Sequence, residues 1–240
     1  MKILVLQHER VEHPGFFRQL LNEDGHQWTV VHVNEGESLP SIDDFDALWV
    51  MGGPMDVWQE TDYPWLIQEK QFIRAAVQEK GKPYFGLCLG HQLLAEALGG
   101  QCAASKVPEI GVLDVQLTEA GVTTVMLDDL PDVFPALQWH SAEVIKMPEN
   151  SICLATSPAC AVQAMNWGPR AYSVQFHLEI EPDTVDTWSK IPAYAEALKK
   201  ELGENGINIL ARECREHMQT FQQLAERVYI NWLQTAARVT

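Results

Sequence analysis

Tyr84-Phe85-Gly86-Leu87-Cys88-Leu89-Gly90-His91-Gln92-Leu93-Leu94 is the stretch on which the fold turns. The short apolar run after Pro83 has the composition of a buried strand, and Leu89 to Leu98 has the pattern of a helix closed by Gly99-Gly100. Cys88 stands at the join. Gly86 and Gly90 flank it at places where side chains would collide with neighbouring backbone in a sharp strand-to-helix turn. Such a turn lifts one reactive side chain above the end of a sheet. A cysteine placed there sits at a helix N-terminus, whose free N–H groups and positive potential favour thiolate over thiol. The competing reading is a buried, inert cysteine packed between two glycines.

A second stretch favours the reactive reading. Tyr172-Ser173-Val174-Gln175-Phe176-His177-Leu178-Glu179 alternates apolar and polar residues and reads as a strand running to a sheet edge. On that strand His177 and Glu179 share one face. By themselves they could be two solvated residues at an exposed strand end. A cysteine nucleophile, however, needs a base, and the base needs a group that holds its ring in one tautomer. Cys88, His177 and Glu179 therefore form the candidate catalytic set.

Outward from these stretches, Lys2 to Gln7 reads as a first strand and Trp28 to Val33 as a second. Between them Phe16, Phe17, Leu20 and Leu21 form a helical stripe that ends near Gly25. The continuous apolar run Ala47 to Met51 suits a strand covered on both faces. This order predicts an α/β fold with a mostly parallel, mixed central sheet flanked by helices. Gly52-Gly53-Pro54 follows the third strand, where open α/β sheets bind ligands, although the same tripeptide also makes an ordinary turn.

Tyr63 to Lys80 reads as one long helix stopped by Gly81 and Pro83. Gly100 to Val115 reads as short antiparallel strands near an edge, and Leu117 to Gly121 as a turn. Strands are expected over Ala136 to Ser141, Ser151 to Ala155 and Cys160 to Asn166. Glu181-Pro182-Asp183-Thr184 opens a helix expected to reach about Gly203. From Ile207 a longer helix carries Leu210, Cys214, Met218, Phe221, Leu224, Val228 and Trp232 on one stripe. That stripe suits either packing on its own domain or a dimer or partner surface.

A chain of 240 residues with 46% hydrophobic residues can bury a real core. The net charge of −16 speaks against nucleic acid and against an anionic membrane surface as partners. No apolar run reaches transmembrane length, and Met1 to Leu6 is too short for a leader. Five cysteines without a Cys-x-x-Cys motif suggest neither a disulfide framework nor a zinc site, and the eight histidines lack metal-ligand spacing. A free reactive thiol suits a reducing cytoplasm.

Gly-Leu-Cys-Leu-Gly-His-Gln at 86–92, followed by Gln-Phe-His-Leu-Glu at 175–179, resembles the triad-type class I glutamine amidotransferases, which have a flavodoxin-like fold. The match continues through Met51-Gly52-Gly53-Pro54-Met55, Tyr63-Pro64-Trp65-Leu66, Glu109-Ile110-Gly111 and Gln138-Trp139-His140, pieces that look like the stand-alone GMP synthase-like subgroup. It covers residues 1–181 as the amidotransferase domain. Residues 182–240 remain as a C-terminal helical extension packed on the same domain, through which a homo-oligomer could also form.

The resemblance implies hydrolysis of the glutamine side-chain amide. Cys88 attacks the carboxamide, and the N–H groups of Gly53 and Leu89 hold the oxyanion. His177, oriented by Glu179, protonates the leaving ammonia, and a γ-glutamyl thioester is then hydrolysed to glutamate. Gln92, Trp139 and His140 are placed beside the bound substrate, and no metal or cofactor is called for. The ammonia would pass to a separate synthetase subunit, since no phosphate-binding GxxxxGK[ST] loop is present. Two alternatives remain: a γ-glutamyl peptidase acting on larger γ-glutamyl amides, and a non-catalytic binding or regulatory protein. Ser141-Ala142 stands where the subgroup often has Gly-Asp, and Leu178 where it usually has proline.

Overall fold

The apolar runs become strands of one sheet. A computed structural model describes residues 1–237, and residues 238–240, the end of the expected extension, lie outside the described residues. The strands are β1 (Lys2–Gln7), β2 (Gln27–His32), β3 (Ala47–Val50), β4 (Tyr84–Leu87), β5 (Gln101–Leu117), β6 (Val133–Lys146), β7 (Ser151–Thr156), β8 (Ala164–Trp167) and β9 (Ala171–Val174). They form a nine-stranded sheet in the order β2-β1-β3-β4-β9-β8-β7-β5-β6. The pairs from β2 to β9 are parallel, and those from β9 to β6 are antiparallel. Half of the sheet is thus doubly wound, and the other half is a set of hairpins attached to it.

The helices are α1 (Phe17–Glu23), α2 (Trp65–Arg74), α3 (Leu89–Ala97), α4 (Glu119–Thr123), α5 (Thr184–Trp188), α6 (Pro192–Leu202) and α7 (Gly206–Ala236). Strand alternation sorts the core into two layers. Leu4, Leu6, Leu48 and Val50 face α2 and α3, where they meet Leu66, Ile73, Leu93 and Leu94. Ile3, Val5, Trp49 and Phe85 face the other way, towards α1 and α7. There the α7 residue Trp232 meets Trp49 edge-on, with ring centroids 5.1 Å apart, and donates its indole N–H to the Tyr84 carbonyl at 3.3 Å.

Several elements differ from the sequence reading. The Tyr63–Lys80 helix is α2 continued by a π-helical turn over Ala75–Glu79. The short strands expected over 100–115 are one 17-residue strand, kept in register with β6 on both sides of a bulge between Ala104 and Glu109. The turn at 117–121 runs into α4, whose N-cap Thr118 accepts from the Gly121 N–H. The strand expected from Cys160 begins only at Ala164. The helix expected to run to Gly203 breaks into α5 and α6, because Pro192 can only open a helix there. The strand expected to run to Glu179 ends at Val174. Beyond it the chain crosses to the antiparallel half, where Gln175 N bonds Gln163 O at 2.8 Å and His177 pairs with Leu137 in an isolated bridge.

Candidate active site

The turn between β4 and α3 forces Cys88 to φ 51°, ψ −103°, in the positive-φ region that non-glycine residues avoid. Two close approaches hold it there. A Cβ on Gly90 would stand 2.1 Å from the Val50 carbonyl oxygen, and one on Gly86 would stand 2.6 Å from the Gly90 oxygen. Only glycine lets β3, β4 and α3 come this close. The resulting elbow sets the Cys88 side chain, 5% exposed, in the wall of a cleft lined also by Gly53, Pro54, Asp56, Gln92, Trp139 and Tyr194.

His177 and Glu179 reach Cys88 from the crossover after β9. His177 Nδ1 donates to Glu179 Oε1 at 2.6 Å, and Glu179 Oε2 accepts from the Leu178 N–H at 3.0 Å. Both residues are buried, at 2% and 4% exposure, and are not the solvated residues of an exposed strand end that the alternating pattern left open as an alternative. Burial opposes a charge on His177, but Glu179 and a hydrogen bond with Cys88 outweigh it and lift its pKa well above the ordinary range. The Trp188 ring packs edge-on against the imidazole at 4.8 Å, held in turn by its own N–H on the Val11 carbonyl.

The amides of Gly53 and Leu89 complete the arrangement. Both residues line the cleft, and among the described residues neither N–H has an acceptor. The set comprises a thiol at a helix N-terminus, a carboxylate-held imidazole and two unsatisfied backbone donors. It can attack a carbonyl carbon, hold the oxyanion and protonate a leaving group.

Residues 17–188 match the model of the family described as glutamine amidotransferase class-I. The chain belongs to this family. It is 30% identical over 190 residues to the glutamine amidotransferase-like protein YfeJ of Salmonella typhimurium, covering 78% of this chain and 79% of that one. It is 32% identical over 152 residues to a glutamine-hydrolysing GMP synthase subunit of Sulfolobus acidocaldarius, covering 63% and 76%. It is 28% identical over 172 residues to gamma-glutamyl peptidase 4 of Arabidopsis thaliana, covering 70% and 67%. The crystal structure of a glutamine amidotransferase from Methylobacillus flagellatus superposes with a TM-score of 0.86 at 27% identity, covering 100% of this chain and 96% of that one.

In this class I amidotransferase the expected substrate contacts are partly committed elsewhere. Gln92 turns its amide inward, donating to Gln175 Oε1 at 3.1 Å. Gln175, which the sequence reading passed over inside its own motif, donates to the Cys88 sulfur at 3.5 Å. His140 donates from Nδ1 to the Ala142 carbonyl at 3.0 Å and turns Nε2 to Glu109 at 3.2 Å. Trp139 lines the cleft and packs on Tyr194, with ring centroids 5.5 Å apart. Although the histidine spacing suggested no metal ligands, Glu109, His140 and Cys160 bring their donor atoms within 4.8 Å of one another. Both Glu109 oxygens are already in use, one by Ser157 Oγ and the other by Gln163 Nε2, each at 2.7 Å. The group is a brace behind Trp139-His140.

Three further buried polar residues of this amidotransferase lie outside any motif. His8 and Glu69 pair with each other, and Glu12 accepts a hydrogen bond from the Tyr194 hydroxyl. Burial pushes the Glu12 carboxyl up to about 7, against the pull of Tyr194, His177 and His8. The signal for Glu69 was present in the sequence, since it shares the buried face of α2 with Leu66 and Ile73. Among the described residues no helix is long and apolar enough to cross a membrane.

Proposed function

We propose that this chain hydrolyses the γ-amide bond of glutamine or of a related γ-glutamyl amide through a Cys88–His177–Glu179 triad. The observation that carries the reading is a positive-φ cysteine in a cleft with two acceptorless amides, met at its thiol by a buried histidine–carboxylate pair. Cys88 attacks the amide carbon, and the N–H groups of Gly53 and Leu89 stabilise the tetrahedral oxyanion. His177 protonates the leaving nitrogen, leaving a γ-glutamyl thioester on Cys88, and then activates the water that releases glutamate.

The same chemistry serves two settings. With ammonia as leaving group, a separate synthetase would take it up, as the resemblance to a GMP synthase subunit suggests. With a larger amine, the chain would act alone, in the manner suggested by its resemblance to a gamma-glutamyl peptidase. Ala142 in the cleft wall, in place of an acid, favours the second setting by leaving room and removing a charge. The C-terminal helices belong to the same domain in this proposal, since Tyr194 of α6 lines the cleft. The test is glutamate release by the purified protein from glutamine and from a set of γ-glutamyl dipeptides and glutathione conjugates. Turnover of at least one, lost in Cys88→Ser, is expected. No release from any of them would overturn the proposal.

A further inference from the structure

An oxyanion donor works only if its N–H points at the developing charge before the reaction begins. Gly53 has a specific difficulty in this respect. The peptide that carries its N–H joins two glycines, and a plane between glycines rotates with little steric resistance. The glycines cannot be replaced to stiffen it. A Cβ on Gly52 would stand 2.1 Å from Glu12 Oε2, and one on Gly53 would stand 2.7 Å from both Leu89 Cδ2 and Met55 Sδ. Close packing demands the residue type that leaves the plane free to turn.

The other end of that peptide is held. His8, the residue after β1, is fully buried and places Nδ1 2.8 Å from the Gly52 carbonyl oxygen. Its Nε2 lies 3.0 and 3.1 Å from the two oxygens of Glu69. The ring stacks on Trp65 at 5.5 Å and 18°. The Gly52 C=O and the Gly53 N–H are opposite ends of one planar trans peptide. Whatever fixes the direction of the oxygen fixes the amide in the opposite sense.

We infer that His8 is a positioning residue for the Gly53 oxyanion donor, with Glu69 holding its ring. This rests on the proposed reaction at Cys88. Both ring nitrogens of His8 face acceptors, a carbonyl and a carboxylate, so both carry protons and the ring is an imidazolium. Burial opposes that charge, but Glu69 and the Gly52 carbonyl outweigh it and raise the His8 pKa. A charged donor on the carbonyl also polarises the peptide and strengthens the N–H at its far end. His8 thus turns a freely rotating glycine peptide into a fixed, strengthened donor without touching the substrate.

The test compares two reactions of the same thiol in the full chain. Acylation of Cys88 by p-nitrophenyl acetate forms an S–C bond through a tetrahedral oxyanion and expels p-nitrophenolate. Alkylation by iodoacetamide is a direct displacement with no oxyanion. Each is followed at Cys88 by peptide mapping. In His8→Ala, acylation should slow about a hundredfold, the scale of one lost oxyanion donor, while alkylation stays within about twofold. His8→Gln, which can return an amide N–H to the Gly52 carbonyl, should recover part of the loss, and Glu69→Gln should fall between it and wild type. Parallel slowing of both reactions, or acylation unchanged, would overturn the inference. If the alanine variant does not fold, the glutamine variants read the same ratio. Wild-type protein that acylates at Cys88 yet releases glutamate from no γ-glutamyl amide would defeat the proposed substrate and leave the role of His8 standing.

Discussion

Two buried histidine–carboxylate pairs converge on Gly52. His8 bonds its carbonyl, and the ring edge of His177 lies 3.5 Å from where its Cβ would stand. Both rings are held by glutamates, Glu69 and Glu179, and both are raised in pKa by them against the cost of burial. They differ in what the second nitrogen meets. In His8 it meets a backbone carbonyl, which can only accept a hydrogen bond. In His177 it meets the Cys88 thiol, which can give up its proton and take it back. A third buried histidine, His91, has the Ser173 hydroxyl and no carboxylate, and burial lowers its pKa to about 3. Among these three rings a carboxylate partner goes with a raised pKa and its lack with a lowered one, and the other partner decides whether a proton can move.

The comparison breaks most sharply at the mobile pair. Cys88→Ser and His177→Ala should each lower glutamate release by about a thousandfold or more, because they remove the proposed nucleophile and the proposed proton carrier. The double variant should be hardly worse than either single one. Losses that multiply would mean the two residues do not act as a unit.

Glu179→Gln and Glu69→Gln sharpen the contrast. Glu179→Gln should cost about ten- to a hundredfold in kcat, because the ring keeps its place but loses the charge that favours imidazolium. The sign of the pH effect follows. Removing a contribution that raises the His177 pKa lets the ring lose its proton at lower pH, so the alkaline limb of the rate profile should move down. Glu69→Gln should lower the rate more modestly and leave that limb in place, since His8 moves no proton. An equal shift of the limb in both variants would erase the distinction.

The smallest effect concerns Glu12, a buried acid with a tyrosine hydroxyl for a partner and no imidazole. Its carboxyl is raised from 4.5 to about 7 in the folded state. Between those values the folded chain holds a proton that the unfolded chain has released, so stability falls as pH rises from about 4.5 to about 7. Glu12→Gln should remove that slope, worth at most about 3 kcal/mol. Its Tm should exceed that of wild type at pH 8, with a smaller gain or none at pH 5. An unchanged slope between the two pH values would contradict the assignment.

The elbow was legible in the sequence because its constraint is local. Gly86, Cys88 and Gly90 announce a steric problem that arises within a few residues. His177 and Glu179 were legible as a pair but misread as geometry. Their alternating pattern suits a half-exposed strand, yet Gln175, His177 and Glu179 are all buried where the chain crosses between two halves of the sheet. The pairing of His8 with Glu69 was not legible, even though Glu69 lies on the buried face of α2, because the two meet across 61 residues and neither sits in a pattern that names its partner. The break between α5 and α6 was written in Pro192 and overlooked in favour of helix-start chemistry at Glu181 to Thr184. The length of β5 could not be read locally, since only β6 keeps it in register across its bulge.

The contact of Trp232 with Trp49, Phe85 and the Tyr84 carbonyl has a consequence for synthesis on the ribosome. The strand that carries the elbow emerges early, but one of the rings that seal its apolar face belongs to α7, made long afterwards. Until α7 docks, Trp49 and Phe85 are covered on this side only by Phe17 of α1, and the rest of their apolar faces meets water or a chaperone. Ribosome-stalled chains ending before Gly206 should therefore stay protease-sensitive through β3 and β4. The reactive thiol would then come into being as one of the last events of folding, at a time set by how fast the ribosome finishes the helix.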